Sequence, residues 1–485
     1  MTRRLMQKLP FDLPQHFKDK FRLNNLPKYY ESQTETSLFE KQPQLPKLPV
    51  PELNKTLSKY LKSLEPLLTP NELTRTKRIV EEFKNDPFTK SLQKRLQERS
   101  DSSEKGWLAE YWNNYAYLEW RDACAGNVNF FYHFKDDFRP QVNRASALIR
   151  EFIGFRQLII NHELSPEMIK DQPLCSHMYN FLFNTTRIPL KPRDQVAVSN
   201  ARENHHVVVI YRHNIYIINT VINNSLLSTN EIQQQIQQIV LQEQDRPHGI
   251  GLGALTSWNR DKWSDVYQHL LKDPENKVLF NKLQTAAFSV SLDEHSPVTL
   301  EECATTFLYG DVSNRWFDKS EQLIVCANGK AGLNNEHSMM DGTINTRLCD
   351  QVLQNMNAHD AGQPTNQLIP KPQKLRFKID KHVLGQIDLA KQDFKKWADP
   401  HHLSVLAYYG YGKSFIKELK CSPDAFVQMA LQLAFYKLNK KCVPTYESAT
   451  IRKFKYSRTE TCRSVSNESV AFCKAFEDPQ ADVSY

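Results

Sequence analysis

The stretch Asn314–Thr343, NRWFDKSEQLIVCANGKAGLNNEHSMMDGT, holds the residues best placed to do chemistry. Gln322–Ala327 reads as a strand and Asn328-Gly329 as a hairpin-type turn. The return strand runs out just before Glu336, His337 and Ser338. A histidine at a strand end can project into a cleft. Its ordinary pKa lies near neutrality, which suits a base that takes a hydroxyl proton and later returns it. Asp341, four residues on, carries a charge that can fix both the loop and the imidazole. On pattern alone, a surface or core histidine is the commoner outcome.

Other segments carry weaker signals. Lys413, Lys417 and Lys420 cluster just before a well-marked helix start, with Ser422 at the cap, Pro423 in the first turn and Asp424 at the positive dipole end. Apolar Phe426, Met429, Ala430, Leu433 and Ala434 follow at helical spacing. A lysine cluster is usually a solvated face. In Glu110–Arg121, EYWNNYAYLEWR, Trp112 and Tyr117 read as helix-packing aromatics. Gly249, Gly251 and Gly253 lack the spacing of a dinucleotide fingerprint and read as turn or close-packing positions. No G-x-S-x-G elbow is present, which sets a Ser/His hydrolase aside.

The elements that must position these residues are legible in part. Prolines in QLPKLPVPEL force an extended strip before a helix in which Leu53, Leu57, Leu61, Leu64 and Leu68 recur at helical spacing. Val207–Asn219 reads as a β-hairpin turning at Arg212–Asn214. Ser228 and Glu231 form a capping-box pattern ahead of Ile232, Ile236, Ile239 and Val240. Strands alternating with helices indicate α/β architecture with mixed sheets.

The chain has 485 residues, enough for two lobes, with 40% hydrophobic and 24% charged residues. That composition excludes disordered and collagenous classes, and 14 glycines exclude a Gly-rich repeat. A net charge of +8, spread along the chain, favours an anionic small ligand weakly and gives no nucleic-acid signal. Nine scattered cysteines without a C-x-x-C pair read as reduced thiols and not as a metal site. No apolar run is long enough to cross a bilayer, which leaves peripheral membrane contact open. The leader has three basic residues before Asp12 but no Ser-rich stretch, a pattern shared by a mitochondrial presequence and a plain polar leader.

The His337 segment closely resembles the signature of the choline/carnitine acyltransferase family, in which the catalytic histidine sits in an E-H-S/A-x-x-D/E-G context after R-W-F-D-K. Those elements are Arg315–Lys319 and Glu336–Gly342 here. Glu321 departs from the pattern, standing where an apolar residue is usual. LPKLPVPELNKTLSKYL, Leu45–Leu61, resembles the family's N-terminal signature, and the resemblance runs from about Gln44 to about Asp478. It implies that His337 is the general base, supported by Asp341. Lys413, Lys417 and Asp424 fall in the coenzyme A region. Trp112 and Tyr117 border the acyl and carnitine pocket. Thr445–Ser466 resembles the T-Y-E-S-A-S and G-R-T-D-T-x-R-S motifs, which implies that Tyr446 and Thr459 bind the carnitine carboxylate. Thr459 disfavours choline, because choline-using relatives carry an apolar residue there, and Ser457 replaces the usual glycine. QPLCSHMYN and GALTSWNRDKW resemble framework segments.

The resemblance implies an α/β fold of two similar lobes, each a mixed β-sheet flanked by helices, like chloramphenicol acetyltransferase, with the second lobe incomplete. The expected division is a leader over 1–39, a helical segment over 40–100 joining the C-terminal lobe, a catalytic lobe over 101–377 and a short C-terminal lobe over 378–485. The implied function is reversible transfer of a short acyl group, acetyl, between coenzyme A and carnitine. Both are substrates, so no cofactor or metal is expected. The expected state is a monomer, in mitochondria or peroxisomes, with the cytoplasm as a third compartment. Relatives carry further segments, including an oxyanion donor, so a non-catalytic shortened form is the alternative reading and a choline acyltransferase a third. The expectation for this chain as given is poor catalysis.

Overall fold

The computed structural model describes residues 38–357, 364–365 and 368–481, so nearly all of the expected leader lies outside the described residues. A seven-stranded mixed sheet organises the chain. Its strands are β1 (Phe130–His133), β2 (Val207–Tyr211), β3 (Asn214–Ile218), β4 (Ser289–Asp293), β5 (Glu321–Cys326), β6 (Ala331–Asn335) and β7 (Gln373–Lys374). They lie in the order β1-β6-β5-β4-β2-β3-β7. The central pairs β2–β4 and β4–β5 are parallel and the others antiparallel.

The five inner strands are buried on both faces, and strand alternation divides their side chains between two cores. Val207, Val209, Val290, Leu323 and Leu333 pack beneath the helices Gln141–Ile160, Thr229–Glu243 and Gly342–Asn357. Val208, Ile210, Ile215 and Ile217 face the other way, toward Arg260–Leu270, Pro274–Thr285 and Lys381–Ala398. The 207–219 hairpin forms as its sequence indicates. Arg212 and His213 both take positive φ, the two-residue turn that matches strand twist. The Ser228–Glu231 capping box is also present, with Ser228 Oγ accepting from the Glu231 amide. Gly253 is a close-packing position, because a Cβ there would meet the Arg315 carbonyl oxygen at 2.0 Å.

Toward the C-terminus, Pro423–Asn439 starts with Ser422 accepting from the Ala425 amide, as its sequence indicates. Leu431 and Leu438 on this helix are exposed, and Gln432 is its buried residue. A two-stranded hairpin, β8 (Tyr446–Thr450) with β9 (Thr459–Arg463), follows. No described helix is long and apolar enough to cross a membrane.

Candidate active site

Two strands and a tight turn deliver His337. Gly329 sits at φ +82° in the β5–β6 turn, where a Cβ would lie 2.3 Å from the Arg139 carbonyl oxygen, so the turn needs glycine on two counts. β6 then runs between β1 and β5 until Asn335, which faces Phe130 on one side and Glu321 on the other. The chain leaves the sheet at Glu336, whose amide still bonds the Ser320 carbonyl at 3.1 Å. His337 emerges at this rim against two aromatic rings: Phe130 edge-on at 4.8 Å and Tyr117 tilted at 5.0 Å.

The hydrogen bonds select a tautomer. His337 Nδ1 lies 2.7 Å from the Met340 carbonyl oxygen, which can only accept, so Nδ1 carries the proton. Nε2 therefore holds the lone pair, and it has no hydrogen-bond partner among the described residues. Burial depresses the pKa of the ring below its ordinary value, and the neighbouring Arg458 charge adds to this, against the opposing pull of Met340, Asp341 and Glu336. A neutral imidazole with an open Nε2 is the form that accepts a proton from a hydroxyl.

Arg458 organises the loop, and it was not singled out from the sequence. Its Nη2 donates to the carbonyls of His337 at 2.7 Å and Met340 at 3.0 Å, and to Asp341 Oδ1 at 2.8 Å. Nε reaches the same Asp341 oxygen at 3.1 Å, and Nη1 donates to Asn113 Oδ1 at 3.1 Å. The guanidinium carbon lies 4.7 Å from the centre of the Tyr117 ring. Asp341 Oδ1 is 3.8 Å from His337 Nδ1, too long for a hydrogen bond. Asp341 thus holds the loop through Arg458 and leaves the direct anchoring of the imidazole to Met340.

A buried charge relay supports Glu336 from behind. Its carboxylate caps the Ser338 amide at 3.1 Å and meets Arg187 at 3.2 Å. Arg187 and Arg260 converge on Asp194 Oδ2 at 2.7 and 2.6 Å. Arg260 continues to Asp318 at 2.6 Å, which also accepts from the Trp263 indole at 2.8 Å. Breaking such a chain at one member strands a buried charge, at a cost of about 3–5 kcal/mol. The loop is therefore held at both ends, by Glu336 and by Asp341.

The aromatic wall comes from an unusual element. Trp112–Leu118 is a π-helix, with the Glu119 amide bonding the Asn114 carbonyl five residues back at 2.8 Å. Five-residue spacing puts Trp112 and Tyr117 on one face, and the Trp112 side chain lies against the Tyr117 hydroxyl. Trp112, Arg458 and Thr459 line the same crevice.

Over residues 48–485 the chain matches the model of the choline/carnitine O-acyltransferase family. It belongs to that family. The acyltransferase is 36% identical over 460 residues to a mitochondrial carnitine O-acetyltransferase of Saccharomyces cerevisiae, spanning 91% of this chain and 68% of that protein. It is 33% identical over 457 residues to a carnitine O-acetyltransferase of Rattus norvegicus, 90% of this chain and 72% of that one. A peroxisomal carnitine O-octanoyltransferase of Bos taurus is 33% identical over 470 residues, with coverages of 93% and 76%.

The other residues expected at the acyltransferase site are more dispersed. Tyr446 opens β8 opposite Arg463, whereas Thr459 opens β9 opposite Thr450. They share a hairpin face but stand about 14 Å apart along it. Tyr446 is exposed and Thr459 half-buried. Lys413 and Lys417 lie on the short helix Lys413–Glu418, exposed and without an ion pair among the described residues. Asp424 is exposed in the first turn of Pro423–Asn439. The structure thus gathers His337, Asp341, Tyr117 and Trp112 around Arg458, and sets the two lysines and Asp424 on separate surface elements.

Proposed function

We propose that this acyltransferase moves a short acyl group, acetyl, reversibly between coenzyme A and carnitine, with His337 as the general base. The observation that carries the reading is the imidazole itself: Nδ1–H is tied to the Met340 carbonyl and Nε2 is left open. In the forward direction Nε2 takes the proton of the carnitine hydroxyl as that oxygen attacks the thioester carbonyl carbon. The tetrahedral intermediate then expels the coenzyme A sulfur, and Nε2–H returns its proton to the leaving thiolate. Burial and the Arg458 charge lower the pKa of the ring, which favours the neutral form that acts as base.

Tyr446 and Thr459 are the residues for the carnitine carboxylate, and Lys413 and Lys417 for coenzyme phosphate, with Asp424 in the adjoining contact region on the next helix. The acetyl assignment follows the names of the yeast and rat relatives. The bovine octanoyltransferase supports a longer acyl chain as a second reading, and the relatives' names support a mitochondrial or peroxisomal location. Purified protein mixed with acetyl-CoA or octanoyl-CoA, and with carnitine or choline, decides the matter. Carnitine-dependent thiol release and acetylcarnitine by mass spectrometry are expected. Octanoylcarnitine formed faster overturns the chain length, and faster transfer to choline overturns the acceptor.

A further inference from the structure

At the far end of β5 from His337, about 16 Å along the strand, three donors of different kinds meet. Asp293 ends β4 and Cys326 ends β5, and they are register partners in the parallel pair. Ligand sites in α/β sheets favour this carboxyl end of parallel strands. His295 follows β4 by two residues. One ligand atom from each of the three lies within 4.8 Å of the other two.

The hydrogen-bond account leaves each donor with capacity for a cation. Asp293 Oδ1 accepts from Asn314 at 2.9 Å and Arg315 Nη1 at 2.6 Å, which fills it. Oδ2 accepts only from Arg315 Nη2, at 2.6 Å, among the described residues, and keeps one lone pair. That oxygen is 3.8 Å from His295 Nδ1, too far for a hydrogen bond. This separation is a few tenths of an ångström longer than the edge between oxygen and nitrogen ligands about 2.0–2.2 Å from zinc, about 3.3–3.5 Å, a gap that a small turn of the half-exposed His295 ring closes. His295 Nε2 is engaged by Thr306 Oγ1 at 2.8 Å, the outer contact that orients a ligating imidazole through its other nitrogen. Cys326 is a buried free thiol. The Arg315 guanidinium offsets the Asp293 charge, and the thiol proton leaves to solvent as the metal–sulfur bond forms.

We propose that Asp293 Oδ2, His295 Nδ1 and the Cys326 thiolate bind one Zn²⁺, with water in the fourth position. Thiolate, imidazole and carboxylate together select zinc over magnesium or calcium. The half-exposed His295 side chain leaves the outer side of the site open to solvent.

Cobalt(II) titrated into the purified full chain reports the site directly. A Cys421→Ser/Cys462→Ser background removes the exposed thiols. One equivalent of cobalt should give a sulfur-to-metal charge-transfer band and the intense visible bands of tetrahedral coordination, and zinc chloride should displace it. Cys326→Ser should abolish the charge-transfer band, and His295→Ala should weaken binding at least about tenfold. Because Cys326 is buried and its replacement can unfold the chain, His295→Ala at the half-exposed position decides the case alone. A missing thiolate band in the parent, or an unchanged band and affinity in His295→Ala, overturns the proposal.

Discussion

Replacing Arg458 should be felt twice at His337. Arg458→Ala removes the donors that fix the 337–341 carbonyls, and a misplacement of the base costs about tenfold to a hundredfold in kcat/KM. It also removes a charge that depresses the imidazole pKa, so the acid limb of the pH–rate profile should move upward from its wild-type position below 6.5. A lowered plateau with an unmoved limb would show that Arg458 acts on geometry alone. Lys413→Ala/Lys417→Ala should raise the KM for acetyl-CoA, and much less for a substrate lacking the 3′-phosphate. Equal losses with the two substrates would argue against a phosphate contact. His337 and Asp341 were legible because their own strand, turn and loop place them. Arg458 was not, because its partner lies 121 residues away and no local pattern pairs them.

Among the elements, β5, β6 and the helix Gly342–Asn357 are joined by a polar clamp where the sequence indicated only an oddly placed acid. Glu321 is fully buried and accepts from the Asn335 and Asn345 side-chain amides. Burial pushes its pKa well above the carboxylate range, against the pull of both amides. The Asn335 and Asn345 side-chain oxygens are buried without a partner among the described residues, so a donor at position 321 can be accommodated between them. Glu321→Gln should leave stability within about 1 kcal/mol of the parent in urea unfolding. Glu321→Leu strands the two amides and should cost at least about 1–3 kcal/mol. A more stable Leu variant would contradict the clamp. The β5–turn–β6 unit was readable because Asn328-Gly329 and strand alternation agree. The π-helix at Trp112–Leu118 was not, because five-residue periodicity is rare and its aromatics also suit an ordinary helix.

Across the whole molecule, the chain after Ile451 returns to the sheet domain through a seam of buried and half-buried side chains. Arg452 donates to the Cys175 carbonyl at 3.0 Å and pairs with Glu167, while His177 packs edge-on to Tyr456 at 4.6 Å. Burial, aided by Lys105 and Lys455, lowers the His177 pKa from 6.5 to about 3. Between those values the unfolded chain binds more protons than the folded one, so this stability is whole above pH 6.5 and fades as pH falls toward 3. Melting temperature should fall between pH 7 and pH 5, less steeply in His177→Phe; identical slopes would remove His177 from the seam. QPLCSHMYN was legible as framework, but its partner across the seam lies far along the chain. We propose His337 as the base for acyl transfer, and a comparison of wild type with His337→Ala tests that role most directly. Carnitine-dependent thiol release from acetyl-CoA should drop at least about a hundredfold, with binding of both substrates nearly unchanged. A variant keeping more than about a tenth of the rate would contradict the assignment.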